Sequence, residues 1–557
     1  MTLSDLSPTN STYPRVTDTL FSARLETVLF LAALVIAGFL PYANSLSGAF
    51  ILDDLPNIIE NPYIRLTDLS INSILTAGRE SFLASRPVAN ISFALNYYFH
   101  AYEPAGYHIV NILIHIATGI LLFFFLETTL SMPAVQIDRT AGRWISFATA
   151  LLWLVHPLQI QSVTYIVQRM NSLAAMFFLL AMLCYIKGRL TPVPFRKKGL
   201  FFGSFMSGLL AIGSKEVAIT LPFFLLLYEW YFFQDLRKEW LKRALVPVAG
   251  SLALLLLLAF LYLGANPLQG ILANYQIRDF TLIERVLTEF RVVFFYISLL
   301  FFPHPSRLNL DHDFPISFSL FDPFTTLLSL VGIVGLAAFA VILARRHRLL
   351  SFCILWFLGN LVIESSILGL ELVFEHRLYL PSMMVILLVV FSFYQIVRPG
   401  FVRIAVLITL CLTLGLVTYN RNALWQSPLT LWLDVVEKSP NKARGYNEVG
   451  MGYYENQQAV EAIPYFLKSI ELKPDLPRPH SNLGLYYLSI NKIDLAIDEF
   501  KQAIQYGPGE GMYHINLGIA YMQLGMFDEA NREIALGKEI RRGQKNTRDE
   551  AFNKPHP

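Results

Sequence analysis

Along the chain, apolar residues gather in long runs separated by short polar loops, as in a sequence that crosses a bilayer repeatedly. The runs at 26–46, 107–127, 143–156, 171–187, 199–213, 217–233, 244–264, 323–344, 350–368, 379–397 and 401–420 predict about eleven transmembrane helices. Several are shorter than the ~20 residues a crossing needs and extend into their flanks. One further apolar stretch, 284–303, carries Arg285, Glu289 and Arg291, which suits an interfacial or re-entrant helix. Lys and Arg concentrate in cytoplasmic loops, so basic residues set the topology. With Arg15 and Arg24 cytoplasmic, Arg139, Arg143, the Arg196-Lys197-Lys198 loop and the loop from Arg237-Lys238 to Lys242-Arg243 all fall inside. Arg345, Arg346, Arg348, Arg398 and Arg403 join them only if 284–303 does not cross. The C-terminal region then lies outside, in periplasm or lumen.

After residue 440 the long runs give way to a repeat. Gly450, Gly484 and Gly518 are spaced 34 apart, and so are Tyr453, Tyr487 and Tyr521, Ala462, Ala496 and Ala530, and Pro440, Pro474 and Pro508. This is the tetratricopeptide (TPR) register, a helix–turn–helix unit in which small residues let paired helices approach. Such arrays present a concave surface for a peptide or protein partner; the alternative role is a purely structural cap. The expected organisation is a cytoplasmic segment 1–25, a transmembrane domain 26–421 with a long outer loop 47–106, a linker helix 422–440, three repeats over 441–542 and a flexible tail 543–557. The fold class is all-α: a polytopic membrane domain followed by a soluble α-solenoid.

Composition agrees. The chain is 54% hydrophobic, 14% aromatic and 15% charged, against about a quarter charged for a soluble domain. The net charge of +3 comes without a basic tract, which argues against nucleic-acid binding. Cys184, Cys353 and Cys411 lie inside apolar runs without metal spacing and read as packing residues. The first run is long enough to span, and no A-x-A-like site follows it, so it does not read as a cleavable leader.

Candidate chemistry sits on the outer face. The first outer loop carries Asp53-Asp54 and Arg86 and ends near His108; other outer turns carry His156, Gln168-Arg169, Lys215-Glu216 and Glu375-His376-Arg377. Arg169, Lys215 and Arg377 stand at span ends on the side where positive charge is disfavoured, and charge at such depth is costly and often functional. Carboxylates and cations facing outward suit an anionic, membrane-borne substrate such as a polyprenyl-phosphate sugar. Positive charge stabilises the departing phosphate. A single carboxylate takes the proton of the acceptor hydroxyl as it attacks the anomeric carbon from the opposite face. That is one displacement with inversion, unlike the two-carboxylate scheme of glycoside hydrolases.

The order of motifs resembles the transmembrane-and-tetratricopeptide-repeat O-mannosyltransferases and their bacterial relatives, within the GT-C glycosyltransferase superfamily. The matching stretches are Phe50-Ile51-Leu52-Asp53-Asp54, Ser85-Arg86-Pro87, Gly106-Tyr107-His108-Ile109-Val110-Asn111, Val155-His156-Pro157, Ser214-Lys215-Glu216 and Phe374-Glu375-His376-Arg377-Leu378-Tyr379-Leu380-Pro381. Arg421-Asn422 and Trp425 then lead into the repeats. The resemblance implies a catalytic acid in the first outer loop, matched by Asp53, together with a lipid-phosphate sugar donor and a protein hydroxyl acceptor. The family has members with and without metal dependence, so no cofactor or metal ligand is assigned and a divalent metal stays open. The sequence departs from the animal members in having only three clear repeats, which leaves sugar and acceptor unassigned. The modest repeat number suits a bacterial inner membrane; the endoplasmic reticulum lumen is the eukaryotic counterpart.

Each residue has a plainer alternative. Asp53 as base competes with a turn or capping aspartate before Pro56. Asp54 binds the acceptor, helps hold a metal or is a turn residue. Arg169, Lys215 and Arg377 as phosphate ligands compete with ion pairs to Glu216, Glu375 or another carboxylate, and with snorkelling. Arg86 is a site cation or a loop anchor. His108 and His156 bond phosphate or acceptor, ligate a metal with Asp54, or are satisfied structural residues. Glu216, Glu375 and His376 support the site. His115 reads as packing, and Asn90-Ile91-Ser92 is a glycosylation sequon by spelling only. Rival functions are transfer to a lipid or cell-surface glycan, transfer of an oligosaccharide from a diphosphate carrier, a transporter and an inert scaffold. A transporter places its charges near the midplane of two repeated halves, which this sequence lacks. The repeats are expected to hold the acceptor without joining in bond making.

Overall fold

The computed structural model describes residues 16–244, 246, 249–250 and 272–553, and every regular element among them is helical. The expected span 244–264 lies almost wholly outside the described residues. The longer helices, numbered in order along the described residues, are α1 (Val16–Phe39), α2 (Ile71–Arg79), α3 (Pro87–His100), α4 (Pro104–Leu130), α5 (Arg139–Val155), α6 (Arg169–Leu190), α7 (Pro194–Ile212), α8 (Leu221–Tyr228), α9 (Leu282–Phe301), α10 (Thr325–Leu343), α11 (Arg348–Leu361), α12 (Ser382–Ile396) and α13 (Gly400–Asn422). After them come α14 (Pro428–Lys438), α15 (Ala443–Glu455), α16 (Ala459–Leu472), α17 (Pro477–Ser489), α18 (Ile493–Tyr506), α19 (Gly511–Gln523) and α20 (Phe527–Asn553). Proline opens α3, α4, α7, α14 and α17, where its missing N–H has no intrahelical partner to lose.

The chain is an all-α polytopic membrane protein. Six segments among the described residues are long and apolar enough to cross a bilayer: Arg24–Ser47, Pro104–Leu130, Ile166–Leu190, Glu216–Phe233, Thr325–Leu343 and Gly400–Gln426. Arg348–Leu361 and Ser382–Ile396 are shorter apolar helices. The core is built where α4 packs on α1, α5 and α6, with α12 and α13 against α5. The outer faces stay apolar. Leu328, Val331, Val334, Val341 and Ile342 of α10 are exposed, as are Ile404, Ile408, Leu412 and Leu416 of α13. Apolar faces this long are stable only against hydrocarbon.

Two ends of the bundle can be told apart. At one, Arg143 pairs with Glu26 (3.1 Å), Arg189 with Glu229 (2.8 Å) and Arg348 with Asp235. At the other, Asn44 donates to the Tyr419 carbonyl (2.8 Å) and Arg421 pairs with Asp434 of α14 (2.5 Å). Most of stretch 284–303 lies in α9, whose start is capped by a box made by Thr281 and Glu284. Both its ends are tied to the repeat-bearing end. Arg285 donates to the carbonyls of Glu364 (2.7 Å) and Leu370 (2.5 Å), while Leu300 receives His156 Nε2 (3.2 Å) and nearby Pro305 receives Lys438 (2.8 Å). Helix α9 therefore lies along one end of the bundle. Reporter fusions after Arg348 and after Arg421 should accordingly read opposite sides, and the basic-residue bias of the loops predicts cytoplasmic for the first and external for the second. Two readings on the same side would show that these ends do not face opposite compartments.

Helices α15–α20 form three antiparallel pairs, α15/α16, α17/α18 and α19/α20. The packing explains the repeat. A Cβ on Gly450 would stand 2.5 Å from Phe466, and one on Gly484 would stand 2.7 Å from Phe500. Ala462, Ala496 and Ala530 are fully buried opposite. The expected flexible tail begins inside a helix: α20 runs to Asn553, because no proline follows Phe527 until Pro555. At the other end α1 begins at Val16, inside the expected cytoplasmic segment. The first pair docks on the loops at the repeat-bearing end of the bundle through Lys442–Asp311 (3.6 Å), Lys473–Asp279 (2.5 Å) and Arg444–Glu371 (3.7 Å).

Candidate active site

The Phe50–Leu55 turn is held in an uncommon shape. Leu52 has φ of 50°, a left-handed conformation that costs a non-glycine residue roughly 1–2 kcal/mol. Asp54 holds the turn there. It is buried, and its two carboxylate oxygens accept the backbone N–H groups of Ile51 (2.9 Å) and Val167 (2.7 Å). Burial pushes the Asp54 carboxyl up to about 8, against those two hydrogen bonds, which pull it down. The Asp53 backbone N–H donates to the Tyr165 hydroxyl (2.9 Å). Asp53 itself is exposed, and its carboxylate has no hydrogen bond or ion pair among the described residues. The turn thus buries one aspartate to present the other.

The first turn of α6 connects this region to a second, cationic one. Arg169 is fully buried and closed off: Nε donates to Asn111 Oδ1 (2.6 Å), Nη1 to the Ser92 carbonyl (3.2 Å) and Nη2 to the Tyr107 carbonyl (2.9 Å), between the Phe93 and Tyr107 rings. It ties α3, α4 and α6 together. Met170 meets Arg86 Nη1 (3.2 Å), and Asn171 bridges Lys215 Nζ (3.3 Å) and the His376 carbonyl (2.8 Å).

Every expected cation in the second region has a carboxylate partner. Arg86 pairs with Glu216 (3.0 Å), which also accepts the Ser85 hydroxyl (2.5 Å). Lys215 pairs with Glu364 (2.7 Å), both nearly inaccessible. Arg377 lies 3.7 Å from Glu289, which also pairs with Arg285 (3.0 Å), and donates to the carbonyls of Glu371 and Leu372. Two buried nitrogens in this cluster, Arg377 Nε and His376 Nδ1, have no hydrogen-bond partner among the described residues. Burial, with Lys215, Arg377 and Arg86 nearby, holds His376 well below the ordinary histidine range and keeps it neutral.

The remaining expected residues are enclosed within the fold. His156 caps the turn after α5, with Nδ1 accepting from Leu158 N (3.3 Å) and Nε2 on the Leu300 carbonyl. His108 is buried against Gly48, where a Cβ would stand 2.8 Å from its Nε2. Glu375 accepts the Asn309 N–H (2.6 Å). The reading of Asp54, His108 and His156 as a shared metal site does not fit, since Asp54 and His156 bond to backbone elsewhere. Among the described residues no three His, Cys, Asp or Glu side chains gather as a metal site. His115 packs as expected, bonded to the Tyr379 hydroxyl (2.9 Å) and the Leu154 carbonyl (3.0 Å). The Asn90 amide donates to the Leu83 carbonyl (2.9 Å), so it is engaged inside the fold.

Sequence reasoning missed Glu364, Asn171, Tyr165 and Arg444, and noted Glu289 for topology without placing it beside Arg377. An acid ending the apolar run Asn360-Leu361-Val362-Ile363-Glu364 was a readable sign of a buried partner. Arg444 was not readable. It belongs to α15, reaches Glu371 across the docking seam and lies near enough to act electrostatically on Asp53. The first repeat therefore brings a cation within electrostatic range of Asp53.

No family model matches the chain. Three relatives illustrate its likenesses. Protein O-mannosyl-transferase Tmtc3 of Drosophila melanogaster is 27% identical over 495 residues, covering 76% of this chain and 53% of the relative. Protein O-mannosyl-transferase F38B6.6 of Caenorhabditis elegans is 25% identical over 456 residues, covering 77% and 60%. Protein O-mannosyl-transferase TMTC1 of Homo sapiens is 33% identical over 164 residues, covering 28% and 18%. The chain spans about half the length of the two longest of these matches. Along about three-quarters of its length the chain is similar to the first two of these protein O-mannosyl-transferases, at 27% and 25% identity.

Proposed function

We propose that the chain is a GT-C-type inverting glycosyltransferase. It moves a sugar from a polyprenyl-phosphate carrier to a hydroxyl, of Ser or Thr, on an exported protein. The active site and repeats face the periplasm of a bacterial inner membrane, or the lumen in a eukaryote. The observation that carries this reading is the Asp53–Asp54 turn, where a strained backbone held by a buried aspartate exposes an unpaired carboxylate. Asp53 takes the acceptor proton as the oxygen attacks the anomeric carbon. The phosphate leaves toward Arg86, Lys215 and Arg377, which their carboxylate partners hold in place in advance. Arg377 Nε and His376 Nδ1, buried without partners, support a polar ligand there. Arg169 and Asp54 position the scaffold, and the names of the relatives support a protein acceptor.

The test uses the purified full chain in lipid nanodiscs with a panel of polyprenyl-phosphate sugars and a Ser/Thr peptide. Glycosylated peptide is expected, with anomeric configuration opposite to that of the donor, read by mass spectrometry and NMR. Retained configuration would remove the single-displacement mechanism. Absence of transfer across the panel, from protein that is folded, would remove the enzyme reading.

A further inference from the structure

The end of the bundle away from the repeats carries a groove that the chemistry above does not use. Helices α5, α12 and α13 border it, and its two adjoining parts measure about 360 and 280 Å³. It exists because α13 is buried only toward its far end: Thr418, Arg421 and Asn422 are enclosed, and no residue from Gly400 to Val417 is. Chain direction orders the lining. Helices α5 and α13 start at this end and α12 finishes here, so Thr140, Tyr394, Gly400 and Arg403 form the mouth. Leu152, Val390, Leu407 and Leu410 lie deeper, and Cys411 and Leu412 line the inner end. From Gly400 to Leu412 the helix rises about 18 Å at ~1.5 Å per residue, roughly the depth of one leaflet of a hydrocarbon core ~30 Å thick.

The mouth presents hydrogen-bond donors. Arg403 is held in place: its guanidinium lies over the Tyr394 ring at 3.7 Å, and Nε and Nη2 donate to the carbonyls of Val397 (2.5 Å) and Tyr394 (3.0 Å) at the end of α12. Its Nη1, the Trp144 indole N–H and the Thr140 and Tyr394 hydroxyls make no hydrogen bond among the described residues. Helix α13 begins without a side-chain cap, and a Cβ on Gly400 would meet nothing within 4 Å, so its first N–H groups are open to an anion. Exposed Arg139 and Arg398 adjoin the mouth in sequence. The acids close by in the chain are engaged. Asp138 accepts the Ala141 N–H (3.1 Å), and Glu26 and Glu127 pair with Arg143 (3.1 and 3.5 Å).

We propose that this groove seats an anionic phospholipid of the leaflet opposite the repeats, with one acyl chain between α5 and α13 and its phosphate on Arg403 and the start of α13. An apolar channel one leaflet deep fits an acyl chain, whereas a polyprenyl tail of many isoprene units overruns it. A guanidinium fixed on two carbonyls with one nitrogen to spare, beside an open helix start, calls for a phosphate. The surrounding unpaired arginines favour a lipid whose net charge is negative. The site is separate from the Arg377 cluster, which is tied to the repeat-bearing end through Glu371 and Arg444, and it does not depend on the glycosyltransferase reading. One consequence is that anionic lipid steadies the helix that leads into the repeats.

The experiment places the full chain in phosphatidylcholine nanodiscs that contain a small, varied fraction of a lipid brominated on its acyl chains. Bromine quenches tryptophan on contact, and Trp144, which lines both parts of the groove, is the reporter. Its emission is the difference between the unaltered protein and Trp144→Phe. Brominated phosphatidylglycerol should half-quench Trp144 at about a fivefold lower fraction than brominated phosphatidylcholine. Arg403→Gln should remove that preference. Ala148→Phe should remove it too, because it fills the groove and leaves every arginine in place. Equal quenching by the two brominated lipids in the unaltered protein would overturn the proposal, however the variants fold. A preference that survives Ala148→Phe would show lipid drawn to a basic surface without a seat, which also overturns it. If polyprenyl phosphate displaces brominated phosphatidylglycerol and plain phosphatidylglycerol does not, the groove belongs to the carrier's tail and the phospholipid assignment is wrong.

Discussion

Replacing Asp53 with Asn should cut sugar transfer by ~10²–10⁴, the usual contribution of a general base. The substitution keeps the side chain's shape and removes its ability to take a proton. It should not disturb the fold, because the Asp53 carboxylate is exposed and makes no hydrogen bond or ion pair, while the turn is fixed by Asp54 and by the backbone bond to Tyr165. Donor binding should be largely kept, since the cations proposed for the phosphate lie in the Lys215–Arg377 cluster. The loss should therefore appear in kcat with little change in donor affinity. Asp54→Asn should behave differently. It replaces one of two carboxylate oxygens that accept N–H groups with an NH₂ that cannot, so it should loosen the turn and lower thermal stability along with activity. Full-rate transfer by the Asp53→Asn protein would mean that the base lies elsewhere.

Glu364→Gln should be among the most destabilising single changes in the molecule, at about 3–5 kcal/mol. Removing one partner of a buried ion pair leaves the other charge without compensation. Lys215 and Glu364 meet at 2.7 Å with side chains 7% and 8% exposed, so water cannot replace the lost partner. Asn171, 3.3 Å from Lys215 Nζ, offsets little of the charge. Thermal unfolding in nanodiscs should show the loss, and adding Lys215→Met should restore most of it, since the pair is then gone without a stranded charge. Transfer should not return with stability, because Lys215 is proposed to meet the donor phosphate. A double variant that regains both would assign Lys215 a structural part alone.

From its letters alone the chain could be read as an all-α membrane protein whose C-terminal region repeats every 34 residues, and its charge bias predicted that Asp53-Asp54, Lys215-Glu216 and Glu375-His376-Arg377 share one face. Those properties are local or periodic: segment length against bilayer thickness, basic-residue bias and small residues at a fixed spacing are written in consecutive letters. Which of two adjacent aspartates is buried was not. Asp54 is taken by backbone groups as distant in sequence as Val167, and only the packed chain brings them together. Nor was the pairing of the cations legible. Lys215 adjoins Glu216 in sequence, yet an extended backbone at Lys215 sends the two side chains apart, one to Glu364 and the other to Arg86. Arg169 read as a phosphate ligand because a buried arginine is costly, and the fold meets that cost with carbonyls from α3 and α4. The course of α9 along one end of the bundle and the pairing of Arg444 with Glu371 were likewise decided by contacts between segments far apart in the chain. Charge and apolar spacing fix which residues must leave water together, but the partner that compensates each buried charge is chosen among all segments at once, and only the tertiary structure makes that choice.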